Sequence, residues 1–226
     1  PKEYDRVVPA FLKSWPINRI ENMTIDDYAN LGNHDSLCYW LEYGTKTMGA
    51  IGAIALHKFE LWKPKDFKDF TNSRFISDGK HVWNPKMGED KVDAFEKIRV
   101  LILEIISLTI QKKWKEIDQI PFHAIGKWKI AFLYSEKNIL PIYSKRALLQ
   151  VSLGLGQEFT YYTPVSVLQE YILSFKEAEE DVGEFAAKLY TQFAEKTDKR
   201  NYFLIGSKYS DENGKDKKSV VEDFIL

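Results

Sequence analysis

Apolar side chains recur at helical spacing through the middle of the chain and gather into short aromatic runs on either side. From Lys91 to Trp114, the residues Ala94, Ile98, Leu101, Ile105 and Leu108 share one helical face. Phe95, Ile102 and Ile110 widen that face until the segment is apolar nearly all round, the pattern of a helix buried inside a domain. Asp90 stands at its N-cap position. Upstream, Phe11, Leu12 and Trp15 form a short stripe with Pro9 in the first turn and Pro16 as the stop. Thr24-Ile25-Asp26-Asp27 reads as a cap with acids in the first turn of a small helix running to Gly32. Downstream, Ser144 opens a helix ending near Gly154, Thr163-Pro164 opens another through Phe175, and an amphipathic stretch spans Glu180 to Glu195.

The aromatic runs read as strands: Leu37 to Tyr43, Ile51 to Trp62 with Gly52 as a bulge, His81 to Trp83, Trp128 to Tyr134, and Ile139 to Tyr143 with Pro141 at an edge. The expected class is α+β. A curved, mostly antiparallel sheet or partial barrel from strands near 37–43, 51–62, 81–84, 128–134 and 139–143 packs on the long helix, with a helical C-terminal part. A compact B3-like pseudobarrel is the alternative, which the long helix and the three later ones suit less well. Asn201 to Gly206 is strand-like again, and the chain stops on Phe224-Ile225-Leu226 without a polar tail. The expected organisation is a recognition domain over 1–200, with 201–226 opening a following module or linker at a cut inside a longer chain.

The 226 residues carry 32 Lys and Arg against 33 Asp and Glu, so net charge decides nothing about partners. The 14 Phe, 12 Tyr and 6 Trp exclude a disordered chain. A single cysteine, Cys38, excludes an internal disulfide framework and reads as a buried, inert thiol. The longest apolar run, Val100 to Ile110, is interrupted by Glu104, Ser107 and Thr109 and falls short of a membrane span. Pro1-Lys2-Glu3-Tyr4-Asp5 is no signal peptide, so a cytoplasmic protein is expected.

Catalytic patterns are missing. Gly79-Lys80, Gly126-Lys127 and Gly214-Lys215 lack the upstream glycine and following hydroxyl of a phosphate loop. There is no nucleophile elbow. His34, His57, His81 and His123 stand at no metal-ligand spacing. Glu60-Leu61-Trp62-Lys63 has one residue too many for a nuclease acid–lysine pair, and Asp78-Gly79-Lys80 sits in a glycine turn. The expectation is a chain without catalysis, metal or cofactor.

Two segments combine cations with rings. Over 57–86, Lys58, Lys63, Lys65, Lys68, Arg74, Lys80 and Lys86 outnumber four acids, with Trp62, Phe67, Phe70, Phe75 and Trp83 interleaved. Over 127–146, Lys127, Lys129, Lys137, Lys145 and Arg146 face only Glu136, beside Trp128, Tyr134 and Tyr143. Residues 176–199 carry seven acids against four bases. Amines that neutralise phosphates and rings that stack on a displaced base are what a DNA-binding face needs. Core packing of the rings and solvation of the lysines is the plain alternative.

Tyr39-Trp40-Leu41-Glu42, Lys58-Phe59-Glu60-Leu61-Trp62 and Asp93-Ala94-Phe95-Glu96-Lys97-Ile98 come in sequence. The most specific block follows, Lys127-Trp128-Lys129-Ile130-Ala131-Phe132-Leu133-Tyr134-Ser135 and then Leu140-Pro141-Ile142-Tyr143-Ser144. The order of these features resembles the N-terminal region of McrB-type AAA+ restriction motor subunits, including the LlaJI-like branch. The resemblance covers roughly 11–210. It implies a DNA-recognition domain for double-stranded DNA, reading a sequence or a modified base in a phage-defence restriction system. The nucleotide-hydrolysing motor would lie in the same chain and the nuclease in a partner subunit. The expected contacts are Lys58, Lys63, Lys65, Lys68, Lys80, Lys86 and Arg74 on phosphate or guanine, with Trp62 or Trp83 stacking on a base. A domain that docks a partner subunit through the acidic helix near Glu177 to Glu195 is the competing expectation, and a divergent nuclease the third.

Overall fold

Pro16 separates the first two helices: it has no N–H to continue α1 (Glu3–Ser14), and it stands at the N-cap of α2 (Ile17–Asn22), where its carbonyl accepts from the Arg19 and Ile20 N–H groups. The computed structural model describes residues 3–30, 32–51, 59–64 and 74–194. Pro9 falls inside α1, not in its first turn. α3 (Ile25–Ala29) opens on the expected cap. Thr24 Oγ1 accepts from the Asp27 N–H at 3.2 Å, and the Asp27 carboxylate accepts from the Thr24 N–H at 2.8 Å.

The first expected strand is helical. Ser36 Oγ accepts from the Tyr39 N–H and starts α4 (Leu37–Tyr39), which runs into a π turn (Trp40–Gly44) and a 3₁₀ turn (Lys46–Met48). Leu37, Cys38 and Leu41 point inward at helical spacing. Gly44 closes the π turn where a Cβ would lie 2.6 Å from the Trp40 ring.

A small antiparallel sheet follows, of three two-residue strands in the order β1 (Leu61–Trp62), β3 (Val82–Trp83), β2 (Ile76–Ser77). Leu61 pairs with Trp83 and Trp62 with Val82; Ile76 also pairs with Trp83. α5 (Lys91–Ile110) begins where Asp90 accepts from the Val92 and Asp93 N–H groups, at 2.7 and 3.0 Å. It packs on β1 and β3, and most extensively on α7 (Ala124–Tyr134), with α6 (Trp114–Gln119) between them in the chain.

α7 replaces a second expected strand, and the segment 139–143 lies outside any strand. Ser144 caps α8 (Lys145–Gly154); α9 (Val165–Leu173) and α10 (Val182–Leu189), continued by a π turn (Tyr190–Ala194), complete the helical C-terminal part. The fold is therefore mixed α+β and predominantly helical. The large curved sheet is replaced by three short strands among the described residues, because two of its expected strands are helices.

The chain divides into two units, Pro1–Glu195 and Lys196–Leu226, and every described residue belongs to the first. The strand-like 201–206 and most of the expected strand 51–62 lie outside the described residues. Among those described, no helix is long and apolar enough to cross a membrane.

Candidate nucleic-acid interface and neighbouring cleft

The hairpin β2–β3 turns at Asp78–His81. Gly79 takes φ +82° there, and the Asp78 carboxylate accepts from the Lys80 and His81 N–H groups at 2.9 and 2.7 Å. Strands β1 and β3 are buried while β2 is exposed, so the indoles expected to stack on bases are core residues. Trp62 is 1% and Trp83 3% exposed. Trp83 donates its indole N–H to the Gly88 carbonyl, and Trp62 meets Phe75 edge to face at 5.1 Å. Stacking needs an open ring face; contrary to the expected base contact, neither indole has one.

The cations divide. Arg74, Lys80 and Lys86 are exposed, while Lys63 is half-buried with its ammonium 3.7 Å from Asp26. Lys58, Lys65 and Lys68 lie outside the described residues. Of the region's four acids, Asp66 and Asp69 lie outside the described residues, Glu60 is turned inward and Asp78 is ion-paired. Glu60 is buried, its carboxylate accepting from the Asn84 amide at 2.7 Å, and burial raises its pKa against that bond. Burial also pushes Asp78 up, but the Lys91 ammonium at 2.6 Å and the two N–H groups of the turn outweigh it and hold the carboxyl well below its usual range. Lys97 donates to the Lys86 carbonyl at 2.8 Å, which brings a further ammonium to this edge. His81 is buried under the turn with its Nδ1 3.8 Å from the Asp78 carboxylate, and burial lowers its pKa.

The second basic segment is mostly not a surface. Lys127 donates to the Asp118 and Ile120 carbonyls, both at 2.9 Å. Lys129 is 0% exposed and donates to the carbonyls of Thr45, Met48 and Gly49 at 2.8, 2.9 and 2.8 Å. Lys137 bridges Asp5 and Asp181 at 2.8 and 3.4 Å, above the Tyr4 ring. Trp128, Tyr134 and Tyr143 are buried. Lys145 and Arg146 have no ion-pair partner among the described residues.

A cleft of about 630 Å³ opens between α10, the 46–50 segment, residues 141–144 and the start of α1. Met48, Ile142, Tyr143 and Ala187 form apolar walls, while Glu3, Asp181 and Glu184 outnumber Lys46 among its charged residues. Sequence reasoning missed this cleft. It also missed the exposed pair Tyr161–Tyr162, for which an aromatic dipeptide just before Thr163-Pro164 was the available signal. Among the described residues, no group of three His, Cys, Asp or Glu side chains is placed to hold a metal ion. Comparison with protein-family models, curated proteins and solved structures returns no match.

Proposed function

We propose that this chain is the DNA-specificity domain of an McrB-type restriction motor subunit. It binds double-stranded DNA through the β2–β3 hairpin edge and performs no catalysis itself; cleavage belongs to a nuclease partner and nucleotide hydrolysis to a motor domain of the same chain. One observation carries the reading beside the resemblance. Among the described residues of the hairpin region, the cations Arg74, Lys80 and Lys86 face solvent, whereas Glu60 is buried and the exposed Asp78 is tied to Lys91. An edge of this kind presents net positive potential to a polyanion. With the indoles buried, readout falls to Arg74, whose planar fork suits guanine or phosphate.

The test is duplex binding as a function of salt. Replacing Arg74, Lys80 and Lys86 by Ala lowers the steepness of the log K against log salt plot by roughly 2 to 3 if each cation neutralises one phosphate. An unchanged slope removes the hairpin from the interface.

The cleft favours a second reading, docking of a partner subunit on α10, since its charged rim is mainly acidic. Charge reversal at Glu179 and Glu184 that abolishes partner capture and spares DNA binding supports that reading instead.

A further inference from the structure

Two tyrosines stand at the corners of a surface turn. The Thr163 N–H donates to the Thr160 carbonyl at 3.1 Å, closing a turn whose central residues are Tyr161 and Tyr162, 71% and 91% exposed. Such corners ordinarily carry Gly, Pro, Asn, Asp or Ser, which ease the reversal of the chain; here they hold two large rings in water. The frame behind them is fixed. Phe159 packs edge-on against Tyr171 at 5.2 Å on one side. On the other, Pro164 leads into α9, whose Val165 and Ser166 N–H groups donate to the Asp118 carboxylate at 3.1 and 3.2 Å. Rings displayed on a held frame give up little conformational freedom when they bind. Lys145 places its ammonium 5.0 Å from the Tyr161 centroid, and Arg146 beside it is exposed. Between Pro141 and Pro164 only Glu158 opposes these two cations.

We propose that the Tyr161–Tyr162 turn is a stacking platform for unpaired bases of a nucleic-acid strand, with Lys145 and Arg146 on its phosphates. This rests on the DNA reading above and moves the aromatic contact from the buried indoles to open tyrosines. A protein partner's aromatic anchor sits in a surround that excludes water. The neighbours Gln157, Glu158 and Thr160 are polar and exposed, whereas a base needs only the flat face of a ring and its phosphate only a cation.

The experiment titrates the full chain with a labelled oligothymidine of about a dozen nucleotides and, separately, with a fully paired duplex at low salt. The variants are Tyr161→Ala/Tyr162→Ala, the corresponding double phenylalanine change, and Arg74→Ala/Lys80→Ala/Lys86→Ala. The alanine pair is expected to weaken oligothymidine binding roughly 10- to 100-fold and duplex binding far less, with circular dichroism and melting unchanged. The phenylalanine pair binds as the parent does, because the ring face is retained. An alanine pair that binds oligothymidine as tightly as the parent overturns the platform, as does an equal loss on strand and duplex, or a parent that binds duplex alone. In those three cases, loss of duplex binding in the Arg74/Lys80/Lys86 variant keeps the hairpin reading in place. A parent that binds neither probe overturns both.

Discussion

Lys129 and Tyr143 converge on one backbone oxygen. The Lys129 ammonium donates to the Met48 carbonyl at 2.9 Å, the Tyr143 hydroxyl donates to the same atom, and the ammonium lies 4.9 Å from the Tyr143 ring centroid. With Thr45 and Gly49 as its other acceptors, Lys129 satisfies three carbonyls in and just after the π and 3₁₀ turns that no helix continues. Lys129→Met keeps the stem and removes the donors; the Thr45 carbonyl keeps the Met48 N–H at 2.9 Å and the Met48 carbonyl keeps the Tyr143 hydroxyl, so the Gly49 oxygen is the one that loses its donor. The expected cost is about 1–3 kcal/mol in urea unfolding, against less than about 0.5 kcal/mol for Lys115→Met on the exposed side of α6. Equal midpoints for the two variants would show the cage to be dispensable.

Trp62 and Trp83 are buried in the sheet, so truncation acts on folding. Trp62→Ala and Trp83→Ala should each cost about 3–5 kcal/mol, and any loss of DNA binding should disappear at temperatures where the variant is still folded. Specific loss of binding by a fully folded Trp83→Phe would return the indole to the interface.

Capping chemistry was the legible part of this fold. Thr24, Asp90 and Ser144 each start a helix where the sequence places one, because a cap is a local bond between residues two or three apart. The strand readings of 37–43 and 127–134 failed for a non-local reason. Lys127-Trp128-Lys129-Ile130 alternates polar with apolar residues, and alternation implies a strand only if the lysines face water. Both are buried, their ammonium groups paired with carbonyls from other segments, Lys129 with those of residues more than 79 positions away. The same misreading made residues 127–146 look like a cationic surface. Indole burial was equally hidden, since Trp83 becomes core only through pairing with Leu61 and Ile76.

Gly49 takes φ +84°, and a Cβ there would lie 2.4 Å from the Pro141 carbonyl and 2.7 Å from the Tyr143 ring. Gly49→Ala therefore meets both a disfavoured backbone region and a rigid wall. A loss of about 1–3 kcal/mol is expected from the backbone alone, read as a lower unfolding midpoint. Gly79→Ala, at φ +82° with nothing near its Cβ position, isolates the backbone part.

His81 and Glu60 give opposite pH signatures. His81 is buried beside Asp78, Lys91, Lys80 and Asp26, and burial leads in setting its pKa below the usual 6.5. The folded chain then binds fewer protons than the unfolded one, so this contribution is complete above pH 6.5 and is lost as pH falls through the folded value. Glu60 faces the Asn84 amide, the His123 N–H and Lys86, yet burial dominates and raises its pKa above the usual 4.5. Its contribution is complete below pH 4.5 and is lost as pH rises through the folded value. Melting curves from pH 4 to pH 8 separate the two, each kcal/mol moving the midpoint by about 2–4 °C. His81→Leu should flatten the decline on the acid side of pH 6.5. Glu60→Gln, neutral throughout and still able to accept from Asn84, should gain on the parent as pH rises. A constant offset between either variant and the parent across that range would mean that the side chain does not change its charge state on folding.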